Sequence, residues 1–107
     1  MSIEATIKEQ LINNDVVLYM KGTPVFPQCG FSGKAAYILK QHKQPFLAIN
    51  VLEDNAIREG IKQYANWPTI PQLYVKGELV GGSDIIEEMH EDGTLAELLQ
   101  SMHSTAQ

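Results

Sequence analysis

Two apolar runs of strand length, Val16 to Lys21 and Phe46 to Val51, are separated by one stretch of helical periodicity, and that order restricts the architecture severely. Strands joined through a helix run parallel with a right-handed crossover, so the two runs belong side by side in one sheet. Between them Phe31, Ala35, Ile38, Leu39 and His42 fall near one helical stripe over Gly30 to Lys43. Gln44 and Pro45 end it, because proline disfavours helix in the residue before it. In the first run Val17, Tyr19 and Lys21 share one side of the pleat and Val16, Leu18 and Met20 the other. The second run is almost continuously apolar, which predicts a strand covered on both faces.

The rest of the chain extends this pattern. Ile3, Ile7, Leu11 and Ile12 predict an amphipathic helix that ends at Asn13, Asn14 and Asp15. Asp54 caps a further helix with Ile57, Ile61, Tyr64 and Ala65 on its buried side, while Arg58 leans away from that stripe. Trp67 to Pro71 cannot be helical, and Gln72 to Lys76 with Glu78 to Val80 read as a hairpin around Gly77. Asp84 with Glu87, and Thr94 with Glu97, have the spacing of helix-starting capping pairs. The expected fold class is therefore α/β: a four-stranded mixed sheet flanked by helices on both faces. With 107 residues, 44% of them hydrophobic, the expectation is one domain over 1–107, closed by a short polar end at 104–107.

Charge and cysteine usage narrow the function. Eight basic against thirteen acidic residues give a net charge of -5, the wrong sign for gripping nucleic acid over a broad face. No apolar run approaches the roughly 20 residues that cross a bilayer, and the first ten residues lack the pattern of a signal or transit peptide. A cytoplasmic protein with no nucleic-acid or membrane partner is the expectation. Cys29 is the single cysteine, so no disulfide forms within the chain. Cys29 with His42, His90 and His103 offers no ligand spacing for a closed zinc site; the histidines lie on separate elements, and His90 and His103 read as helix-end or surface residues.

Cys29 nevertheless stands where chemistry is expected. It follows a proline- and glycine-punctuated loop, Gly22 to Gln28, and opens the second helix. A thiol there meets the positive end of the helix dipole and unpaired amide hydrogens, both of which favour thiolate. Lys21, at the end of the preceding strand, either adds a positive charge or stands as a solvated cation. Phe31, next to the thiol, either shields it or packs inward, and Trp67 reads as a packing residue.

Four segments, Lys21-Gly22-Thr23-Pro24, Cys29-Gly30-Phe31-Ser32, Trp67-Pro68-Thr69-Ile70-Pro71-Gln72 and Gly81-Gly82-Ser83-Asp84, stand in the order and spacing of one family. From near its start to its last helix the chain resembles the monothiol glutaredoxins of the CGFS type. That resemblance implies a thioredoxin-like (glutaredoxin) fold, a glutathione bound beside Cys29, and a role in holding and delivering iron-sulfur clusters. By the same resemblance Lys21 and Arg58 meet the glycyl carboxylate of glutathione. Ile70 pairs with its cysteinyl backbone, and Ser83 with Asp84 holds the γ-glutamyl end. A cis Ile70-Pro71 peptide is also implied, with a trans turn the alternative on residues alone. Ser83 and Asp84 likewise suit ordinary helix capping.

Ser32 occupies the place of the second, resolving cysteine in dithiol relatives, and its hydroxyl cannot attack a mixed disulfide. Family members often carry a cysteine where Ser83 stands, so an alternative internal resolving thiol is missing as well. A [2Fe-2S] cluster wants four thiolates. Two chains, each bringing Cys29 and one glutathione thiolate, would complete the set. The leading expectation is thus a cluster-bridged homodimer that passes its cluster to apo iron-sulfur proteins, with a BolA-type partner implied by the resemblance. The alternative is a monothiol reductase of protein-glutathione mixed disulfides with Cys29 as nucleophile, and a third reading is a redox-inert adaptor.

Overall fold

A computed structural model describes residues 2–104 of the chain. Among the described residues five helices and four strands alternate as α1 (Ile3–Asn13), β1 (Val16–Met20), α2 (Gly30–Gln41), β2 (Leu47–Asn50), α3 (Asn55–Ala65), β3 (Gln72–Val75), β4 (Glu78–Gly81), α4 (Ser83–Asp92) and α5 (Thr94–Ser104). The strands form one sheet in the order β2-β1-β3-β4. β1 runs parallel to β2 in the register Val17 to Leu47 and antiparallel to β3 in the register Val17 to Tyr74. The mixed sheet expected from the order of elements is the one observed.

β1 is central, and all five of its residues are buried. The pleat divides them between two cores. Val16, Leu18 and Met20 pack with Ala35, Ile38 and Leu39 of α2, Ile86 of α4 and Leu95 of α5. Val17 and Tyr19 pack with Ile7 and Leu11 of α1 and Ile57 and Ile61 of α3 on the opposite face. Burying each such aliphatic side chain contributes about 1.5–3 kcal/mol, so a polar replacement in β1 would open one of the cores. The two faces place α2 and α4 on the same side of the sheet, and both carry their N-termini to the site described below.

Several local expectations are revised. Of the run at 46–51, Leu47–Asn50 form the edge strand β2 and are only half-buried, since a strand with one neighbour loses cover along its free side, while Val51 is fully buried. α2 stops at Gln41, with His42 as C-cap and Lys43 in the left-handed region at φ 54°. Phe31 falls off the buried stripe and is 63% exposed. Asp84 does not cap α4: the helix begins at Ser83 after Gly82, and Glu87 turns to Lys34 of α2 at 2.7 Å. Nor does Thr94 act as a cap, because Asp92 accepts both its N–H (2.9 Å) and its hydroxyl (2.6 Å). Asp54, as expected, caps α3 through the N–H groups of Ala56 and Ile57. Lys76 and Gly77, both at positive φ, make the two-residue hairpin turn. The polar end at 105–107 lies outside the described residues. No helix among the described residues is long and apolar enough to cross a membrane.

Candidate functional site

The loop between β1 and α2 is a closed structure. Lys21 O accepts from Gln28 N–H at 2.9 Å, Phe26 O from Thr23 N–H at 3.2 Å, and Gly22 pairs with Pro27 as an isolated bridge. The Asn50 side chain, at the end of β2, accepts from Gly22 N–H at 2.9 Å and Leu52 N–H at 3.0 Å. Lys40 reaches back from α2 to Pro24 O at 3.3 Å. Only glycine fits at position 22: its φ is 91°, and a Cβ would lie 2.5 Å from Gln28 N. So held, the loop turns Val25 and Phe26 outward, each more than 70% exposed.

Cys29 closes the loop as the N-cap of α2, half-buried and with extended backbone. The N–H of Ser32 acts most strongly on its sulfur; the N–H of Phe31, the Ser32 hydroxyl and the Lys21 charge act in the same direction. Together they hold the thiol below the ordinary cysteine range, against an opposing effect of burial. The Lys21 charge is the weakest of these influences on the thiol. Ser32 itself is fully buried, and its hydroxyl accepts the backbone N–H of Lys21 at 3.0 Å, tying the strand end to the first turn of α2.

Phe31, two residues after the thiol, enters the wall of a groove of about 450 Å³ together with Trp67, Ile70, Pro71, Ser83 and Asp84. Three segments meet there: the first turn of α2, the loop before β3 and the start of α4. The Ile70-Pro71 peptide is cis. Gly82 lets α4 approach that loop, since a Cβ there would come within 3.3 Å of Pro71 O. At the N-terminus of α4 the amides of Ser83 and Asp84 point out of the helix, beside the Asp84 carboxylate. Trp67 contributes to the groove wall, and its indole Nε1 is buried without a hydrogen-bond partner.

Of the six residues singled out from sequence, Ile70, Ser83 and Asp84 share the groove, while Lys21 and Cys29, which flank the loop between β1 and α2, are not among the residues that line it. Arg58 is half-buried on α3 and does not line the groove; among the described residues its Nε is the other buried side-chain donor without a partner. The donor set suits a tripeptide with two carboxylates and one ammonium. It offers outward amides and the Asp84 carboxylate at the start of α4 and the backbone of Ile70 ahead of the cis peptide, with the Lys21 and Arg58 charges outside the groove lining.

Asn50 and Gln72 are supporting residues that sequence reasoning missed. Gln72 is fully buried; its amide donates to Trp67 O at 3.1 Å and Thr69 O at 3.2 Å, and its oxygen accepts from Tyr74 at 3.0 Å. Its place at the end of the Trp67–Gln72 motif was the one available signal. Asn50 reaches Gly22, 28 residues away, where spacing along the chain gives no warning, whereas the partners of Gln72 all lie within five residues of it.

Comparison with known proteins agrees with this geometry. The glutaredoxin family model matches residues 16–80. The chain is 52% identical over 93 residues to glutaredoxin 4 of Pasteurella multocida, covering 87% of this chain and 85% of that protein. It is 50% identical over 97 residues to an uncharacterized ycf64-like monothiol glutaredoxin of Synechocystis, covering 91% of each. Against monothiol glutaredoxin-S11 of rice the identity is 53% over 92 residues, 85% of this chain, but the chain spans only 19% of that longer protein. The solution structure of reduced poplar apo GrxS14 superposes with a TM-score of 0.81 at 43% identity, covering 98% of this chain and 94% of that one. A thioredoxin-like α/β domain with one thiol at a helix N-terminus is the class defined by fold and site. The chain belongs to the glutaredoxin family, in its monothiol branch.

Proposed function

We propose that this protein is a glutathione-dependent carrier of [2Fe-2S] clusters. The observation that carries the reading is the position of the sole thiol, half-buried at the start of α2 two residues before Phe31 of the groove wall, with Ser32 sealed in the interior where a resolving group would stand. In this reading Lys21 and Arg58 bind the glycyl carboxylate, Ile70 the peptide backbone, and Ser83 with Asp84 the γ-glutamyl end. The bound tripeptide then presents its own thiol beside Cys29. Two chains and two glutathiones supply the four thiolates of one cluster. Half the ligands are exchangeable, so loss of glutathione or parting of the subunits frees the cargo. Apo iron-sulfur proteins are its recipients, a BolA-type protein its alternative partner, and the cytoplasm its compartment. The low-lying pKa of Cys29 supports a second reading, a nucleophile that removes glutathione from mixed disulfides and is regenerated by free glutathione.

Anaerobic reconstitution with iron, sulfide and glutathione separates the two. A coloured species of doubled mass that needs glutathione and vanishes in Cys29→Ser is expected of a carrier. A colourless monomer with brisk turnover of a glutathione mixed disulfide would overturn that reading in favour of the reductase.

A further inference from the structure

Outside the groove, the fold joins two histidines that the chain keeps 48 residues apart: His42 Nε2 and His90 Nδ1 lie 2.9 Å from each other, their rings nearly perpendicular at 82°. His42 caps the C-terminus of α2 and His90 sits in the last turn of α4, both half-buried and so within reach of solvent. The two helices are already fastened by Lys34 and Glu87, and Lys40 is turned away to Pro24 O, which leaves neither of those lysines free beside the imidazoles.

We propose that His42 and His90 form a second metal site, a cis pair of imidazole ligands for a divalent cation of the copper and nickel kind. The argument is geometric. With metal–nitrogen bonds of about 2.0–2.1 Å, ligand atoms 2.9 Å apart subtend an angle of about 90° at the metal. That is the cis angle of square-planar and tetragonal coordination, which Cu²⁺ and Ni²⁺ favour with nitrogen ligands. A tetrahedral ion would ask for nitrogens about 3.3 Å apart, so the spacing in the hydrogen-bonded pair is nearer to the cis angle. Binding replaces the direct hydrogen bond between the rings: each ring turns a lone pair inward and keeps its proton on the outer nitrogen. Water completes the coordination. The site uses neither Cys29 nor the groove, and it bridges the helices whose N-termini carry Cys29 and Ser83.

The test uses the full, untagged chain with Cys29 blocked by iodoacetamide, titrated with Ni²⁺ and followed by NMR. The ring signals of His42 and His90 should broaden before any others, and the melting temperature should rise with Ni²⁺ concentration. Loss of one ring removes the chelate, so His42→Gln and His90→Gln should each weaken binding by about 100-fold, while His103→Gln leaves it unchanged. Zn²⁺ should bind more weakly than Ni²⁺. Undiminished affinity in His42→Gln or His90→Gln, early broadening elsewhere in the unmutated chain, or a preference for Zn²⁺ would each overturn the proposal.

Discussion

The Ser32 hydroxyl accepts the backbone N–H of Lys21 at 3.0 Å, so the residue that replaces a resolving thiol also fastens the strand end to the helix that bears Cys29. Ser32 is fully buried, and both of its roles pass through one oxygen.

Removing that oxygen should therefore show in the thiol. Thiolate formation is favoured in the folded chain, so the rate of alkylation rises with pH through a midpoint below that of an ordinary cysteine. In Ser32→Ala the midpoint should move up, but only part of the way, because the stronger influence of the Ser32 backbone N–H remains. The unpaired Lys21 N–H should also lower stability by about 1 kcal/mol. A pH profile of iodoacetamide reaction and a urea melt check the two halves.

Gln72→Met keeps the volume of the side chain but strips hydrogen bonds from Trp67 O, Thr69 O and the Tyr74 hydroxyl inside a buried network. The expected cost is about 2–3 kcal/mol, from leaving buried polar groups unpaired. Tyr74→Phe, which frees one lone pair of Gln72, should cost about 1 kcal/mol. Equilibrium unfolding in urea reports both, and equal losses would contradict this account of the network.

Gly22→Ala forces a Cβ within 2.5 Å of Gln28 N and 2.6 Å of Phe26 O at a φ of 91°. The loop must shift, at a cost of about 1–3 kcal/mol. Backbone amide shifts over residues 22–28 and the thermal midpoint are the observables; a wild-type spectrum there would show that the loop is looser than its hydrogen bonds describe.

Asp84→Asn tests the proposed γ-glutamyl contact without touching the thiol. A charge-assisted hydrogen bond is worth about 1.5–3 kcal/mol, so glutathione affinity measured calorimetrically should fall at least about tenfold. The alkylation profile of Cys29 should stay as it was, since Asp84 is absent from the groups that set it.

Much of this molecule is legible in one dimension because the relevant constraints are local. The period of two in Val16–Met20 and the period near four in Ala35–Leu39 follow from how each backbone must bury its apolar side. Order along the chain then dictates a parallel pair followed by an antiparallel hairpin. The position of Cys29 at a helix start, and of Ser83 and Asp84 at another, likewise follows from glycine and proline punctuation. Capping was harder to read: Asp84, Glu87 and Thr94 carry the right spacing, but whether a carboxylate caps its own helix or turns to Lys34 depends on which neighbour the fold brings near.

What the sequence by itself determined is the set of elements, their order, and the chemistry available to a chain with one thiol, because these rest on periodicity, backbone preference and a count of sulfur atoms. Only the tertiary structure decided that β2 is a half-covered edge, that Asn50 braces the loop at Gly22, and that His42 meets His90. Each of these is a contact between residues far apart in the chain or a matter of which strand lacks a neighbour. Such relations are settled by how the helices and sheet pack, and no local spacing encodes them.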